Sequence, residues 1–324
     1  MKNILVVGGA GFIGSHAARD LKEAGFNPII FDNLSEGHRE SVCANDFIHG
    51  DIEDSNLLNQ VFNEKKIEAV MHFSAYAYVG ESVENPEKYY RNNVTATLNL
   101  LSCMLKNKIN NFIFSSSCAT YGIPSYVPID EKHPQNPINP YGNTKLMIEK
   151  ILSDYSHAYG LKYIALRYFN AAGAHPDSSI GESHRIETHL IPLILKTLTK
   201  EKDTINIFGD DYDTPDGTCI RDYIHVCDLA CAHRNALELI LSGCESKFIN
   251  LGTGFGISVK EIIAVCEKVT GMKVPSVISQ RRPGDPPSLV ASNTYAKDIL
   301  GFSPNFDIYE TVKTAWNWEK NKKY

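Results

Sequence analysis

Asn3-Ile4-Leu5-Val6-Val7-Gly8-Gly9-Ala10-Gly11-Phe12-Ile13-Gly14 decides how the chain folds. Its continuous apolar run suits a strand buried on both faces, and Ile13, Ala17, Leu21 and Ala24 then recur at helical spacing. The glycines between satisfy G-x-x-G-x-x-G from Gly8 and G-x-G-x-x-G from Gly9. Glycine permits the tight turn and lets backbone N–H groups approach a pyrophosphate at a helix N-terminus. Asp32 closes the next apolar run, Pro28 to Phe31, where a carboxylate can accept from the adenosine ribose hydroxyls. That charge repels a 2′-phosphate, so the pattern predicts NAD rather than NADP; Arg39 nearby argues the other way.

Outward from this unit, short β-like runs alternate with helical stretches: Ile4–Val7, Pro28–Phe31, Phe47–His49, Ala69–Phe73, Phe112–Ser115 and Tyr163–Arg167. The expected fold is α/β, a doubly wound parallel sheet of Rossmann type over 1–170, with a smaller α/β domain over 171–324. Some segments of the second are expected to return to the first sheet. Beyond Asn170 the sequence is loop-rich, with polar Ala174–His189, aspartate-rich Gly209–Gly217 and Arg281–Pro287. Helices are expected at Ile191–Lys200, Val226–Ser242 and Ser258–Thr270.

With 324 residues the chain can bury about three quarters of its unfolded surface and needs no staple. A net charge of −6 argues against nucleic acid or an anionic membrane as main partner. No apolar run is long enough to span a membrane, and the N-terminus does not read as a signal peptide. The eight cysteines include no C-x-x-C, so reduced thiols in a cytoplasmic protein are expected.

The second chemical signal is Tyr141-Gly142-Asn143-Thr144-Lys145. Y-x-x-x-K is common by chance, and Tyr309–Lys313 matches it too. Context separates them. Asn139-Pro140 reads as an N-cap followed by proline at the first helical position. On that helix Tyr141, Lys145, Ile148, Leu152 and Tyr155 fall within about 80° of one another, which puts a lysine in an apolar stripe. Upstream, Phe114-Ser115-Ser116-Ser117 closes a strand at the end where ligands sit in such sheets. Tyrosine titrates near pH 10, so acting as a base near pH 7 takes about 4 kcal/mol. A cation within roughly 4–6 Å supplies about one to three pKa units of that. Lys145 is placed to be that cation, and Ser117 to orient a substrate hydroxyl.

These residues resemble the extended short-chain dehydrogenase/reductases, and within them the UDP-galactose 4-epimerases. The resemblance runs over essentially the whole chain: Gly8–His16, Phe31–Leu34, His49–Ile52, Val79–Ser82, Tyr89–Val94, Ser115–Gly122, Leu166–Asn170, Ile220–Val226 and Asn250–Gly252. It implies reversible oxidation at sugar C4, with Tyr141, Lys145 and Ser117 as catalytic residues. NAD would meet Gly8, Gly11, Phe12, Ile13, Gly14, Asp32, Asn33, Leu34, Asp51, Ile52, Phe73, Ser74, Ala75, Ala77, Asn92 and Phe169, besides the catalytic three. The UDP-sugar would meet Ser117, Tyr141, Asn170, His189, Leu190, Phe208, Arg221, Arg282, Asp285 and Leu289. The resemblance also implies a homodimer formed through the Tyr–Lys helix and its neighbour near Thr97–Lys106.

Some positions depart from relatives. His189 stands where some carry asparagine, Ala77 lacks a long side chain, and Leu289 replaces Tyr, Cys or Ser beside the sugar. They bear on substrate breadth, leaving N-acetylated UDP-hexosamines or UDP-glucuronate as alternative substrates. A sugar-nucleotide dehydratase or decarboxylase would need acids where Cys118 and Ala119 stand. A non-catalytic NAD-sensing regulator would have no use for Ser117, Tyr141 and Lys145 together. No metal is expected: the eleven histidines form no H-E-x-x-H, and His184 and His189 read as polar surface residues of a loop.

Overall fold

All six apolar runs become strands in the computed structural model, which describes every residue except Pro283. That residue, inside the loop expected at 281–287, lies outside the described residues. The strands are β1 Asn3–Val7, β2 Asn27–Asp32, β3 Asp46–His49, β4 Ile67–His72, β5 Asn111–Ser117 and β6 Lys162–Tyr168. A seventh, β7 Lys247–Leu251, completes a sheet of order β7-β6-β5-β4-β1-β2-β3. Every pair from β5 across to β3 is parallel. Both faces of such a sheet are covered, which explains the unbroken apolar runs. On one face Leu5, Val7, Phe31, Val70 and Phe112 pack with Leu58, Leu100, Ile148 and Leu152 of the crossover helices. Because β1 lies between β2 and β4, strand order reverses there. The crevice beyond the carboxyl ends of β1 and β4 is where doubly wound sheets bind ligands.

The chain divides into two compact units. One comprises Met1–Gly122, Gln135–Arg167 and Ala230–Ile249; the other comprises Ile123–Pro134, Tyr168–Leu229 and Asn250–Tyr324. In the second unit, Ile220–His225 runs parallel to Asn170–Ala172 and Ser288–Leu289 and antiparallel to Gly256–Ser258. Its core joins Ile191, Ile194, Leu195, Tyr223, Ile262, Cys266 and Val312. The expected helices form as Leu190–Leu198, Val226–Leu241 and Val259–Thr270. Cys103, Cys219 and Cys266 are buried and the other five cysteines half-buried, with no disulfide among the described residues.

Candidate active site

Gly8 and Gly14 have no room for side chains. A Cβ on Gly14 would lie 2.2 Å from the Gly8 carbonyl oxygen. One on Gly8, at φ +76, would lie 2.5 Å from the backbone nitrogen of Ser74. Gly11 caps the Phe12–Glu23 helix without any side-chain hydrogen bond, so no cap competes for its first N–H groups. Such a bare N-terminus, held close to strand ends by glycine, is the cradle a dinucleotide diphosphate requires, and the residues fit the group.

Asp32 is held from two sides: Ala10 N–H donates to one carboxylate oxygen (2.9 Å) and Leu34 N–H to the other (2.8 Å). Leu34 adopts φ +59 to do so. Burial pushes the Asp32 carboxyl up, against these two hydrogen bonds. Asp32 lines a recess with Asn33, Asp51, Ile52, Ser74 and Asn92, so six of the expected cofactor residues meet in one cavity. Asn33 Nδ2 donates to Asp51 (2.7 Å). Arg39, the residue that argued for NADP, lies with its guanidinium 4.3 Å from the Phe47 ring centre. Asp32→Ala removes a charged acceptor worth about 1.5–3 kcal/mol, so NAD affinity should fall about 10- to 150-fold. The preference over NADP should shrink, because the repulsion of the 2′-phosphate goes with the carboxylate. Parallel titrations with both nucleotides check this, and an unchanged preference would remove Asp32 from the ribose.

The second cluster hangs from the Pro140–Tyr159 helix. Asn139 caps it by accepting from Gly142 N–H (2.8 Å), and Gly160 ends it at φ 72. Tyr141 and Lys145 are 8% and 4% exposed, deep for two polar side chains. Lys145 Nζ donates to the Ser115 carbonyl (2.8 Å) and lies 5.8 Å from the Tyr141 ring centre. Burial pushes the Lys145 ammonium down to about 7, with Glu149 opposing. Ser117 ends β5 buried, accepting from Ala119 N–H at 3.1 Å. One strand thus anchors the lysine and presents the serine. The chance match differs: Tyr309 is 40% exposed and Lys313 exposed.

Several supporting residues escaped the sequence reading. Arg167 grips Glu149 through Nε and Nη2 (2.8 and 2.7 Å), while Ser116 Oγ donates to the same carboxylate (2.6 Å). This buried fork fixes the Tyr–Lys helix against β5 and β6. Asn93 exchanges two hydrogen bonds with the Tyr76 backbone (2.9 and 3.0 Å) and donates to Thr144 Oγ1 (3.1 Å). It joins the segment after β4 to the turn carrying Tyr141 and Lys145. The backbone around it, Tyr90–Thr95, is π-helical, a form frequent at functional sites. His72 donates from Nε2 to Thr97 Oγ1 (2.8 Å), whose own proton goes to the Asn93 carbonyl (2.7 Å). Burial first, then the Lys145 charge, pushes His72 down to about 3, so it stays neutral beside the lysine.

In the second unit the structure gathers part of the expected substrate set. Arg221 pairs with Asp285, and its other nitrogen donates to the Ile220 carbonyl (2.7 Å). Arg282 stacks 4.0 Å from the Phe208 ring centre. Leu289 is in register with Arg221, and Asn170 with Tyr223 of the same sheet. Phe169 is buried, and its N–H donates to the Leu251 carbonyl (3.3 Å). His189 caps the Leu190–Leu198 helix without a side-chain bond to it.

A model of the NAD dependent epimerase/dehydratase family matches residues 4–252. The chain is 51% identical over 318 residues to a UDP-glucose 4-epimerase of Halalkalibacterium halodurans, covering 98% of this chain and 95% of the relative. Its fold matches the crystal structure of UDP-glucose 4-epimerase from Brucella ovis in complex with NAD, with a TM-score of 0.96 and 51% identity over 98% of each chain. The Bifidobacterium longum UDP-glucose 4-epimerase, in complex with NAD+ and UDP, matches with a TM-score of 0.93 and 38% identity over 99% of each chain.

Proposed function

Because the chain belongs to the NAD dependent epimerase/dehydratase family, we propose that it interconverts UDP-glucose and UDP-galactose by reversible oxidation at sugar C4. One observation carries the reading: a buried tyrosine one helical turn from a buried lysine, with Ser117 closing the adjacent strand and no acid at Cys118 or Ala119. The full-length likeness to UDP-glucose 4-epimerases supports the choice of substrate. Gly8–Gly14, Asp32, Asp51, Ile52, Phe73–Ala77 and Asn92 would hold NAD, which when bound supplies a reversible hydride acceptor.

The remaining tasks fall to side chains. Ser117 orients the 4-hydroxyl, and the Tyr141 phenolate takes its proton. Lys145 lowers the cost of that phenolate. The 4-keto sugar turns over while Asn170, His189, Leu190, Phe208, Arg221, Arg282 and Asp285 retain the UDP. Paired guanidinium groups suit the two phosphates. The proton held on Tyr141 Oη then returns to O4, so the protein ends the cycle as it began. Proton NMR of UDP-galactose mixed with the NAD-loaded chain should show UDP-glucose anomeric signals growing to equilibrium. With NAD confirmed bound, their absence would sink the reading and revive a cofactor-sensing protein.

Substrate breadth turns on Leu289, which in the family resemblance borders the space for an N-acetyl group on C2. Leucine leaves room for the methyl but gives the amide no partner, a deficit of about 1–3 kcal/mol. UDP-glucose and UDP-galactose should be preferred, with the N-acetylated pair turned over less efficiently. Leu289→Tyr should abolish the second activity and spare the first; competing-substrate assays check it, and retained N-acetyl activity would place the gate elsewhere. The same reading carries a homodimer through the Pro140–Tyr159 and Ala96–Lys106 helices, whose Met147 is 44% exposed. Light scattering should give about twice 36.1 kDa, and the monomer mass would refute it.

A further inference from the structure

We infer that Glu182, His184, Glu187 and His189 form a four-ligand site for a divalent transition-metal cation of the zinc class. They sit in the segment preceding the Leu190–Leu198 helix, where Glu-x-His occurs twice, at Glu182-Ser183-His184 and Glu187-Thr188-His189. In sequence the two histidines read as polar surface residues of a loop, but the fold brings one ligand atom from each of the four side chains within 4.8 Å of the others. His184 Nδ1 lies 3.4 Å from Glu182 Oε1 and 3.2 Å from Glu187 Oε2. His189 Nδ1 lies 3.7 Å from Glu187 Oε1 and in contact with Glu182 Oε1. Zinc bonds of about 2.0–2.1 Å to nitrogen and oxygen put neighbouring corners of a tetrahedron about 3.3–3.4 Å apart. The two separations from His184 fall at that edge; Glu187 faces His189 with its other oxygen, and metal binding replaces the His189–Glu182 hydrogen bond by two bonds to the ion.

The chemistry of the donors selects the ion. Two carboxylates balance a dication, and two imidazoles favour the zinc class over calcium or magnesium, which take oxygen ligands. The Glu182 and Glu187 side chains are 5% and 3% exposed, against 18% for His184 and 47% for His189, so the cluster opens on the His189 side. An outer layer orients the ligands. Thr188 and His189 N–H groups both donate to Glu187 Oε1 (2.8 Å each), Trp318 Nε1 donates to the Glu182 carbonyl (2.8 Å), and Ser183 Oγ donates to the Tyr324 carbonyl (3.0 Å). Four protein ligands make a closed, structural site, whose work is to hold the Glu182–His189 segment in one conformation against the C-terminal helix to which Trp318 already bonds it. Binding through Nδ1 leaves Nε2–H of His189 as a donor, compatible with the UDP contact proposed above.

The test reads metal and not turnover, so its outcome is independent of the epimerase reading. The NAD-loaded chain is stripped with a chelator, then titrated with zinc chloride against a chromophoric chelator, and its metal is counted by mass spectrometry after gel filtration. The expected result is one zinc per chain, with intense tetrahedral cobalt(II) absorption when cobalt replaces it. His184→Ala should weaken binding by at least about 100-fold, since even outer-layer partners of a metal ligand are worth 10- to 100-fold. Glu187→Gln, close in shape, is the second variant should His184→Ala not fold. Failure of the wild type to bind zinc saturably, or equal binding by wild type and variant, marks an adventitious ion only and overturns the site.

Discussion

Lys145→Met is expected to yield a protein that is more stable at neutral pH and nearly inactive. Burial brings the ammonium from 10.5 down to about 7, and at 1.36 kcal/mol per pH unit the fold bears about 5 kcal/mol for carrying it. Methionine fills similar space without the charge, but leaves the Ser115 carbonyl without its donor, which returns about 1–3 kcal/mol. A net gain of about 2–4 kcal/mol remains. Its sign depends on pH in a defined way. The folded-state value is depressed, so the penalty is complete below pH 7, fades as pH rises toward 10.5, and vanishes where the lysine is neutral folded and unfolded alike. Urea unfolding should therefore show an advantage for the variant at pH 6.5 that is lost or reversed at pH 10, where under about 1 kcal/mol of the penalty remains against the missing hydrogen bond. A variant less stable at both pH values would show that Lys145 serves the fold. Activity should move oppositely: without the cation, Tyr141 loses about one to three pKa units of help, and turnover near pH 7 falls about 10- to 1000-fold, with the profile shifted alkaline.

That trade-off was half legible in the sequence. The angular stripe from Tyr141 to Tyr155 located a lysine among apolar residues, and the structure buries it. What holds it there was not legible. Glu149 falls one turn beyond Lys145, but a glutamate on a helix reads as solvated until its partner is known. That partner, Arg167, sits on β6 and is paired only by the fold. Asn93 escaped for the same reason, since its clamp on Tyr76 and Thr144 spans 17 and 51 residues. All six strands of the first half were readable because each is a short apolar or β-branched run bounded by turn residues and set between helical stretches. The seventh, Lys247–Leu251, is broken by Asn250, whose buried amide donates to the Ile129 carbonyl (3.0 Å). The Glu-x-His repeat was visible as letters, yet nothing linear says that two turns of one segment face each other.

Tyr141→Phe should lower turnover by about 10²–10⁴-fold, the loss typical of a general base. Phenylalanine keeps the ring and its packing, so what disappears is the hydroxyl that exchanges a proton with O4, and UDP-sugar binding should change little. Tyr309→Phe, the same substitution in the exposed match, should be close to neutral. If the two variants behave alike in a steady-state assay, the working pair is misassigned. The double variant Tyr141→Phe with Lys145→Met sharpens the claim, because a cation that acts only through the phenolate has nothing left to act on once the phenol is gone. The two losses should then not multiply, and the double variant should turn over about as slowly as Tyr141→Phe alone. A product of the two single losses would mean that Lys145 has a second task, such as holding a ribose hydroxyl. Titration of bound NAD in the same variants would then separate that task from base catalysis, since only a lysine in contact with the cofactor changes its affinity when Tyr141 is already phenylalanine.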